Sequence, residues 1–225
     1  MTETVLIVVA HSDDESISMA GTIRKHVSKG DMVYVVSMTD GVGARNAVDG
    51  DAVIERKKSS IKASEVLGFV WGECYRFDDN AMDSYPLLEV VKAVEYVKMR
   101  YKPTIVYTHS GADLNVDHKV VANAVLTAFR PQPNHLCKEI RLFEVASSTD
   151  YGYPSITGLF SPNLFINITD EWSAKAEALN AYSAEMQEYP HSRSLQGIKN
   201  LANTRGNQVG YDLAEAFEVI RKLVD

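Results

Sequence analysis

A histidine and three carboxylates crowd a single turn near the start of the chain. His11, Asp13, Asp14 and Glu15 come directly after residues 5–9 (VLIVV), an aliphatic run typical of a buried strand in a parallel sheet. On such a turn, a His and an Asp three positions apart can point at one metal ion, and the Asp between them can face a water on that ion. Like charges this close cost energy unless a cation is present. The turn predicts a metal site, although its residues could instead cap the following helix.

A second polar cluster, at residues 108–118, follows another predicted strand. If this strand neighbours the first, His118 can reach the cation held by His11 and Asp14, since ligands of open α/β sheets bind outside the carboxyl ends of the strands. Two His and one Asp leave room for water on Zn²⁺, and Fe²⁺ or Co²⁺ would also suit them. Taken alone, His109 and His118 could equally be surface or capping residues.

The elements that must position these residues alternate between strands and helices. We predict strands at 5–9, 33–38, 75–77, 104–108, 141–145 and 164–168, helices at 15–29, 52–67, 86–101 and 120–129, and a helical tail from residue 171 with breaks near Pro190 and Gly206. This order indicates the α/β class, with a Rossmann-like three-layer α/β/α fold and a mainly parallel sheet. The metal site would lie at the carboxyl ends of the strands. There is no G-x-G-x-x-G, so a dinucleotide fingerprint is absent.

Bulk composition restricts the class of protein. A chain of 225 residues with 45% hydrophobic and 24% charged residues predicts one globular domain over residues 1–225. The net charge of −7 argues against binding to nucleic acid or to an anionic membrane surface. Cys74 and Cys137 form neither a disulfide framework nor a thiolate metal site. We see no signal peptide and no apolar run of membrane-spanning length, so we expect a cytoplasmic protein.

Two motifs resemble a known family. Residues 10–15 (AHSDDE) resemble the A-H-P-D-D-E signature of the LmbE-like or PIG-L family of zinc N-deacetylases, and residues 113–118 (DLNVDH) are similar to its second metal motif in a D-L-N-x-D-H version. The resemblance continues through residues 39–41, Arg56, residues 190–194 and residues 214–217. It therefore spans nearly the whole chain.

The resemblance implies roles for individual residues. His11, Asp14 and His118 would be the metal ligands, and Asp13 would be the general base that takes a proton from the metal-bound water. The chemistry of the residues agrees, because Zn²⁺ lowers the pKa of its water and polarises an amide carbonyl, while a nearby carboxylate completes the nucleophile. Asp117, next to His118, is expected to orient the imidazole of a metal ligand.

Two positions depart from the family pattern. Ser12 replaces the usual Pro, which removes a restraint on the turn. Asn115 stands where many members have a His thought to stabilise the oxyanion or protonate the amine. Asn can donate a hydrogen bond but cannot deliver a proton near neutral pH. We therefore assign Asn115 to substrate binding and expect His191 to be the general acid, with His109 as the second candidate.

Other candidates lie in helices and loops. Arg56 and Arg193 are expected to bind hydroxyls or a phosphate of a substrate, although both could be surface arginines. The loop 151–154 (YGYP) is a candidate lid. We interpret His26 and His135 as surface residues without a role.

These observations predict an enzyme, a zinc-dependent N-deacetylase. It would remove the acetyl group from a 2-acetamido sugar or sugar conjugate, releasing acetate and an amino sugar. Its partner would be that small-molecule amino-sugar substrate, and a homo-oligomer is possible because the family often forms oligomers. Two alternatives stay open: a deacylase of a non-sugar amide or antibiotic conjugate, and a catalytically dead sugar-binding protein that holds the metal.

Overall fold

The described residues form a mainly parallel sheet, as predicted, with seven strands where six were expected. The computed structural model describes residues 2–43, 50–133 and 136–224. The spatial order is β3-β2-β1-β4-β5-β7-β6, with β7 antiparallel to both of its neighbours. The strands are β1 (Thr4–Val9), β2 (Met32–Thr39), β3 (Val70–Phe77), β4 (Ile105–His109), β5 (Glu139–Phe143), β6 (Leu164–Asn167) and β7 (Ala214–Lys222).

Helices cover both faces of the sheet and give the predicted three layers. One face packs against α1, α2 and α6, and the other against α3 and α4. The helices are α1 (Asp14–Ser28), α2 (Gly50–Leu67), α3 (Leu87–Tyr101), α4 (Val116–Ala128), α5 (Pro154–Thr157), α6 (Trp172–Ala181) and α7 (Leu195–Asn207), with a 3-10 helix at Met82–Ser84. No helix in the described part of the chain combines the length and apolarity needed to cross a bilayer.

The central strand β1 explains why the site lies where it does. Its aliphatic side chains are fully buried, and alternate residues enter the two cores on opposite faces of the sheet. β1 pairs in parallel with β2 on one side and β4 on the other, and the chain reverses its direction of travel across the sheet between them. Such a switch point opens a crevice at the carboxyl ends of the strands. The turn after β1 and the loop after β4 meet in that crevice.

The end of the chain differs from the prediction. Residues 214–222 were expected to be helical, but they form strand β7, inserted between β5 and β6. Ala and Glu are good helix formers, but tertiary context overrides intrinsic propensity, and the free energy gained by pairing both edges of this segment outweighs that preference. β7 also carries a structural carboxylate, Glu215.

Glu215 accepts backbone hydrogen bonds at an interruption of α1. The helix is interrupted at Met19 (φ −145°, ψ 24°), and the buried Glu215 carboxylate accepts hydrogen bonds from the backbone N–H groups of Gly21 (3.0 Å) and Thr22 (2.7 Å). The buried Lys175 ammonium donates to Glu215 Oε1 (2.6 Å) and to the Ile17 carbonyl (2.9 Å). Every buried charge in this cluster therefore has a partner, which burial requires. The cluster ties α1, α6 and β7 together.

His26 is buried, so the prediction of a surface residue is wrong. Its Nδ1 lies 2.7 Å from Asp31 Oδ2, and its Nε2 lies 2.9 Å from the hydroxyl of Tyr107 on β4. Asp31, in the turn before β2, and Tyr107 on β4 thus contact the two ring nitrogens of His26 and remove the ring from solvent. His135 lies outside the described residues.

His26 predicts a pH dependence of stability. Burial lowers the pKa of His26 below its ordinary value, so the unfolded chain binds a proton that the folded chain resists. Stability from this group is therefore present above about pH 6.5 and lost as the pH falls below it. Relative to His26→Gln, the wild type should lose up to about 1.4 kcal/mol of unfolding free energy per pH unit between about pH 6.5 and pH 5, measured by urea unfolding. A wild-type-minus-variant difference that does not change with pH would contradict this account.

Candidate active site

The turn after β1 brings His11 against Asp14. Asp14 begins α1, and its Oδ2 accepts a hydrogen bond from the backbone N–H of His11 (2.9 Å). The same oxygen lies 3.3 Å from His11 Nδ1. The carboxylate is thereby fixed at the end of β1, with one imidazole beside it.

The loop after β4 supplies the second imidazole. Asn115 caps α4, because its Oδ1 accepts the backbone N–H groups of Asp117 (2.8 Å) and His118 (3.4 Å). α4 therefore begins at Val116, one turn earlier than residue 120, where we predicted it to start. The early start places His118 in the first helical turn, buried, with its Nε2 3.5 Å from Asp14 Oδ2.

His11, Asp14 and His118 fit a divalent metal ion. One ligand atom from each lies within 4.8 Å of the others. Asp14 Oδ1 and His118 Nε2 are buried and have no hydrogen-bond partner among the described residues. Buried polar atoms left in this way cost free energy unless a further group satisfies them. An ion between the two imidazoles and the carboxylate would satisfy both atoms.

Asp113 supports His118 from behind. Its Oδ2 lies 3.1 Å from His118 Nδ1 and accepts the hydroxyl of Thr149 (2.7 Å), and its Oδ1 accepts the hydroxyl of Ser148. A proton on Nδ1 leaves the lone pair of Nε2 directed at Asp14. Burial lowers the pKa of His118, but the carboxylates of Asp14 and Asp113 outweigh it and raise the pKa to about 9. A cation at Nε2 would take the place of that proton.

Asp117 contacts the imidazole of His11, one of the two histidines predicted to bind the metal, and not that of its neighbour His118. Its Oδ2 lies 3.1 Å from His11 Nε2, and its two oxygens accept the backbone N–H groups of Asn80 (2.7 Å) and Met82 (3.0 Å). Consecutive helical residues point about 100° apart, so Asp117 cannot turn back onto its neighbour. Asp79 Oδ1 is also 3.1 Å from His11 Nε2.

A second arrangement for a metal is therefore His11, Asp79 and Asp117. The first arrangement fits better, for two reasons. Both oxygens of Asp117 already accept backbone hydrogen bonds, whereas Asp14 and His118 hold the atoms that lack partners. Asp79 and Asp117 then serve to orient His11, as carboxylates do for metal-binding imidazoles.

His109 forms the floor beneath His118. The two rings stack with centroids 4.0 Å apart, and His109 Nε2 accepts the backbone N–H of Ala10 (2.9 Å). Burial holds the pKa of His109 well below its ordinary value. A fully buried, neutral imidazole bound to β1 favours a structural role over that of a general acid.

Asp13 faces two arginines. It is buried, and its Oδ2 lies 3.1 Å from Arg56 Nη1 and 3.6 Å from Arg193 Nη1. Arg56 also donates to the carbonyls of Ser12 (2.7 Å) and Gly41 (3.1 Å). Its Nη2 lies 2.8 Å from a carboxylate oxygen of Glu185. These contacts favour Arg56 as the residue that holds Asp13 in place, whereas its predicted contact with substrate stays a prediction.

His191 lies in the segment that carries Arg193. Its Nδ1 accepts the backbone N–H of Arg193 (3.0 Å), and its ring makes an edge contact with Tyr151 (6.1 Å between centroids). Arg193 Nε in turn donates to the hydroxyl of Ser147 (3.0 Å). Through Arg193, this segment lies beside Asp13 at the edge of the site.

Three residues that support the site were not predicted to do so. Asp79 and Asp113 lie in loops, and the fold brings them to His11 and His118. The hydroxyl of Tyr182 donates to Glu15 Oε1 (2.9 Å) behind the turn. Burial raises the pKa of Glu15 to about 8. For Asp113, the signal was present in the sequence, since it opens the second motif.

A family comparison agrees with both motifs. The model of the PIG-L family, described as GlcNAc-PI de-N-acetylase, matches residues 6–129, more than half of the chain. The chain belongs to the PIG-L family. The predicted resemblance is thus confirmed, and the matched range holds His11, Asp13, Asp14 and His118. His191 lies beyond it.

Individual relatives extend the similarity over the rest of the chain. Uncharacterized deacetylase YaiS of Escherichia coli is 26% identical over 186 residues, which is 80% of this chain and 90% of that protein. A structure of N,N'-diacetylchitobiose deacetylase from Pyrococcus horikoshii has a TM-score of 0.78 at 21% identity and covers 97% of this chain and 84% of that one. The 4-oxalmesaconate hydratase of Pseudomonas putida is 22% identical over 243 residues, 93% of this chain and 86% of that protein. The relatives thus include a hydratase besides deacetylases.

The support given by Asp113 predicts its effect on metal affinity. Asp113→Asn removes the charge behind His118 Nδ1, so the affinity for Zn²⁺ should fall about 10- to 100-fold. Competition with a chromophoric chelator would measure it. Asp170→Asn, an exposed carboxylate far along the chain, is the matched control and should bind Zn²⁺ like the wild type. Equal affinities in all three proteins would mean that His118 needs no support from Asp113 or does not bind the metal.

Proposed function

We propose that this protein is a metal-dependent hydrolase that removes the N-acetyl group from a 2-acetamido sugar or sugar conjugate. The observation that carries the proposal is that a candidate metal site and a separate carboxylate lie at the same turn. His11, Asp14 and His118 converge with buried atoms that lack partners, and Asp13, the neighbouring carboxylate, stands apart from them beside two arginines. Membership of a family described as de-N-acetylases supports the choice of reaction.

The proposed metal ligands are His11, Asp14 and His118. When bound, Zn²⁺ would lower the pKa of a coordinated water and polarise the acyl carbonyl. Fe²⁺ and Co²⁺ suit the same donor set. The carboxylates of Asp113, Asp79 and Asp117 hold the two imidazoles in the tautomers that leave a lone pair toward the centre.

Asp13 is the proposed general base. Its carboxylate would take the proton of the attacking water and then return it to the nitrogen of the departing amine, so that one group serves both steps. Arg56 fixes its position through Oδ2 at 3.1 Å. This leaves Oδ1 as the oxygen to move the proton. The buried position excludes bulk water from the exchange.

His191 suits hydrogen bonding to the substrate better than proton delivery. Because its Nδ1 accepts the backbone N–H of Arg193, the proton of the neutral ring lies on Nε2. A second proton on Nδ1 would lose that hydrogen bond. We therefore assign His191 Nε2–H to donation toward the substrate, and assign the return of the proton to Asp13. Arg193 and Asn115 are proposed to complete the substrate contacts at the edge of the site.

Substitution of Asp13 separates catalysis from metal binding. Asp13→Asn should retain about one equivalent of Zn²⁺ and lose acetate release by at least about 100-fold, because the amide cannot take a proton from water. The assay would follow acetate on a panel of N-acetylglucosamine, its conjugates and N-acetylated non-sugar amines. Asp83→Asn, an exposed carboxylate, is the control and should keep full activity.

Each result has a defined meaning. Acetate release from non-sugar amides alone would contradict the sugar assignment and favour a deacylase of another amide. Bound Zn²⁺ with no acetate from any substrate would favour a binding protein or a hydratase like the Pseudomonas putida relative. Unchanged acetate release in Asp13→Asn would contradict the assigned base.

Arg56→Lys tests how Asp13 is held. Lysine keeps the charge but cannot donate to Asp13, the Ser12 carbonyl and Glu185 together. We expect kcat to fall about 10- to 100-fold with little change in KM, since the interaction lost is with the base and not with the substrate. Arg130→Lys, an exposed arginine, is the control. A rise in KM at unchanged kcat would instead support substrate binding by Arg56.

A further inference from the structure

A cavity of about 290 Å³ adjoins the site on the far side of Arg56. It lies between α2 and the carboxyl ends of β2 and β3. Its inner wall includes Ser12 and Arg56. Both lie next to the proposed base, because Ser12 precedes Asp13 in the chain and Arg56 Nη1 lies 3.1 Å from Asp13 Oδ2. The mechanism proposed above does not use this space.

The inner wall holds a buried hydrogen-bond donor that has no acceptor among the described residues. Arg56 is only 7% exposed, and its Nε is buried without a partner in the described structure, although both terminal nitrogens are engaged. The side chains of Ser12 and Ser37 also line the cavity and bring two hydroxyl groups to it. Buried donors in this state are rare in folded proteins and indicate a missing acceptor.

The outer wall is cationic. Lys57 and Arg76 line the cavity and are exposed, and neither side chain forms an ion pair with any residue that the structure describes. Three other cations of this acidic chain do have carboxylate partners: Lys25, Arg100 and Arg205. Asp40 is the single acid among the described lining residues, and its Oδ1 accepts the backbone N–H of Val42 (3.2 Å). Positive charge therefore predominates at the cavity.

Hydroxyls, a guanidinium N–H and two cations without ion pairs among the described residues form a donor set that suits phosphate oxygens. We infer that this cavity binds a phosphate group of the substrate, so that the substrate is a phosphorylated N-acetyl amino sugar. The inference rests on the proposed function, because the shared wall of Ser12 and Arg56 places the phosphate next to Asp13. The phosphate could be that of a sugar 1-phosphate or the diphosphate of a nucleotide sugar.

The first experiment measures phosphate binding directly. Isothermal titration of the metal-loaded protein with inorganic phosphate would compare the wild type with the double variant Lys57→Gln/Arg76→Gln. Loss of two charge-assisted contacts should weaken phosphate binding at least about tenfold. The matched control, Lys58→Gln/Lys62→Gln, removes the same charge from exposed positions of α2 and should bind like the wild type. Equal phosphate affinity in both double variants would overturn the inference. Any phosphate binding that remained would then belong to another site, such as the metal.

The second experiment compares substrates. It takes the ratio of kcat/KM for a phosphorylated substrate to kcat/KM for N-acetylglucosamine, using N-acetylglucosamine 1-phosphate and UDP-N-acetylglucosamine in separate arms. In wild type, one of the two ratios should exceed one, which names the source of the phosphate. That ratio should fall at least about tenfold in Lys57→Gln/Arg76→Gln and stay unchanged in the control. Ratios that do not respond to the substitutions would overturn the substrate assignment.

The two proposals fail in different ways. If phosphate binding depends on Lys57 and Arg76 but no substrate releases acetate, the phosphate site stands and the deacetylase function falls. If acetate is released but phosphate affinity is unchanged by substitution of Lys57 and Arg76, the deacetylase function stands and the phosphate site is wrong.

Discussion

The buried carboxylate of Asp14 is the group around which the site is built. It is almost completely enclosed, and imidazoles of His11, His109 and His118 lie within 3.5 Å of its Oδ2. Although burial acts to raise the pKa of Asp14, these imidazoles hold it well below its ordinary value. An ionised carboxylate in this position needs positive charge beside it, and a metal ion meets that need while also satisfying Oδ1 and His118 Nε2. The surrounding carboxylates then act on the imidazoles and not on the ion.

The fold supplies this arrangement through strand order. The neighbouring parallel strands β1 and β4 end side by side, and each is followed in the chain by a helix. The first turn of each helix carries a proposed ligand, Asp14 on α1 and His118 on α4. The Asn115 cap fixes where α4 begins and so places the imidazole of His118 beside Asp14. On the other side of the turn, Arg56 of α2 contacts Asp13, which is not one of the proposed ligands. Two adjacent aspartates thereby receive different environments and different proposed roles.

Sequence patterns predicted the layers and the convergence at β1 and β4, because aliphatic runs followed by polar turns have a direct physical cause. They did not predict β7, because its residues include good helix formers and the segment becomes a strand through pairing with β5 and β6. They also missed the partners of the imidazoles. Asp113 opens the same motif as His118, but its contact with the imidazole was not predicted. Asp79 is distant from His11 in the chain, so only the tertiary structure brings these two side chains together. Burial of His26 was missed for the same reason.

The most direct test of the account is the position of the metal itself. Crystals grown with Zn²⁺ and measured at the zinc absorption edge would locate the ion by anomalous scattering. The account predicts one peak within about 2.3 Å of His11 Nδ1, an Asp14 oxygen and His118 Nε2, with Asp13 not bound to it. A peak on His11 Nε2 shared with Asp79 and Asp117, or no peak at this turn, would contradict it.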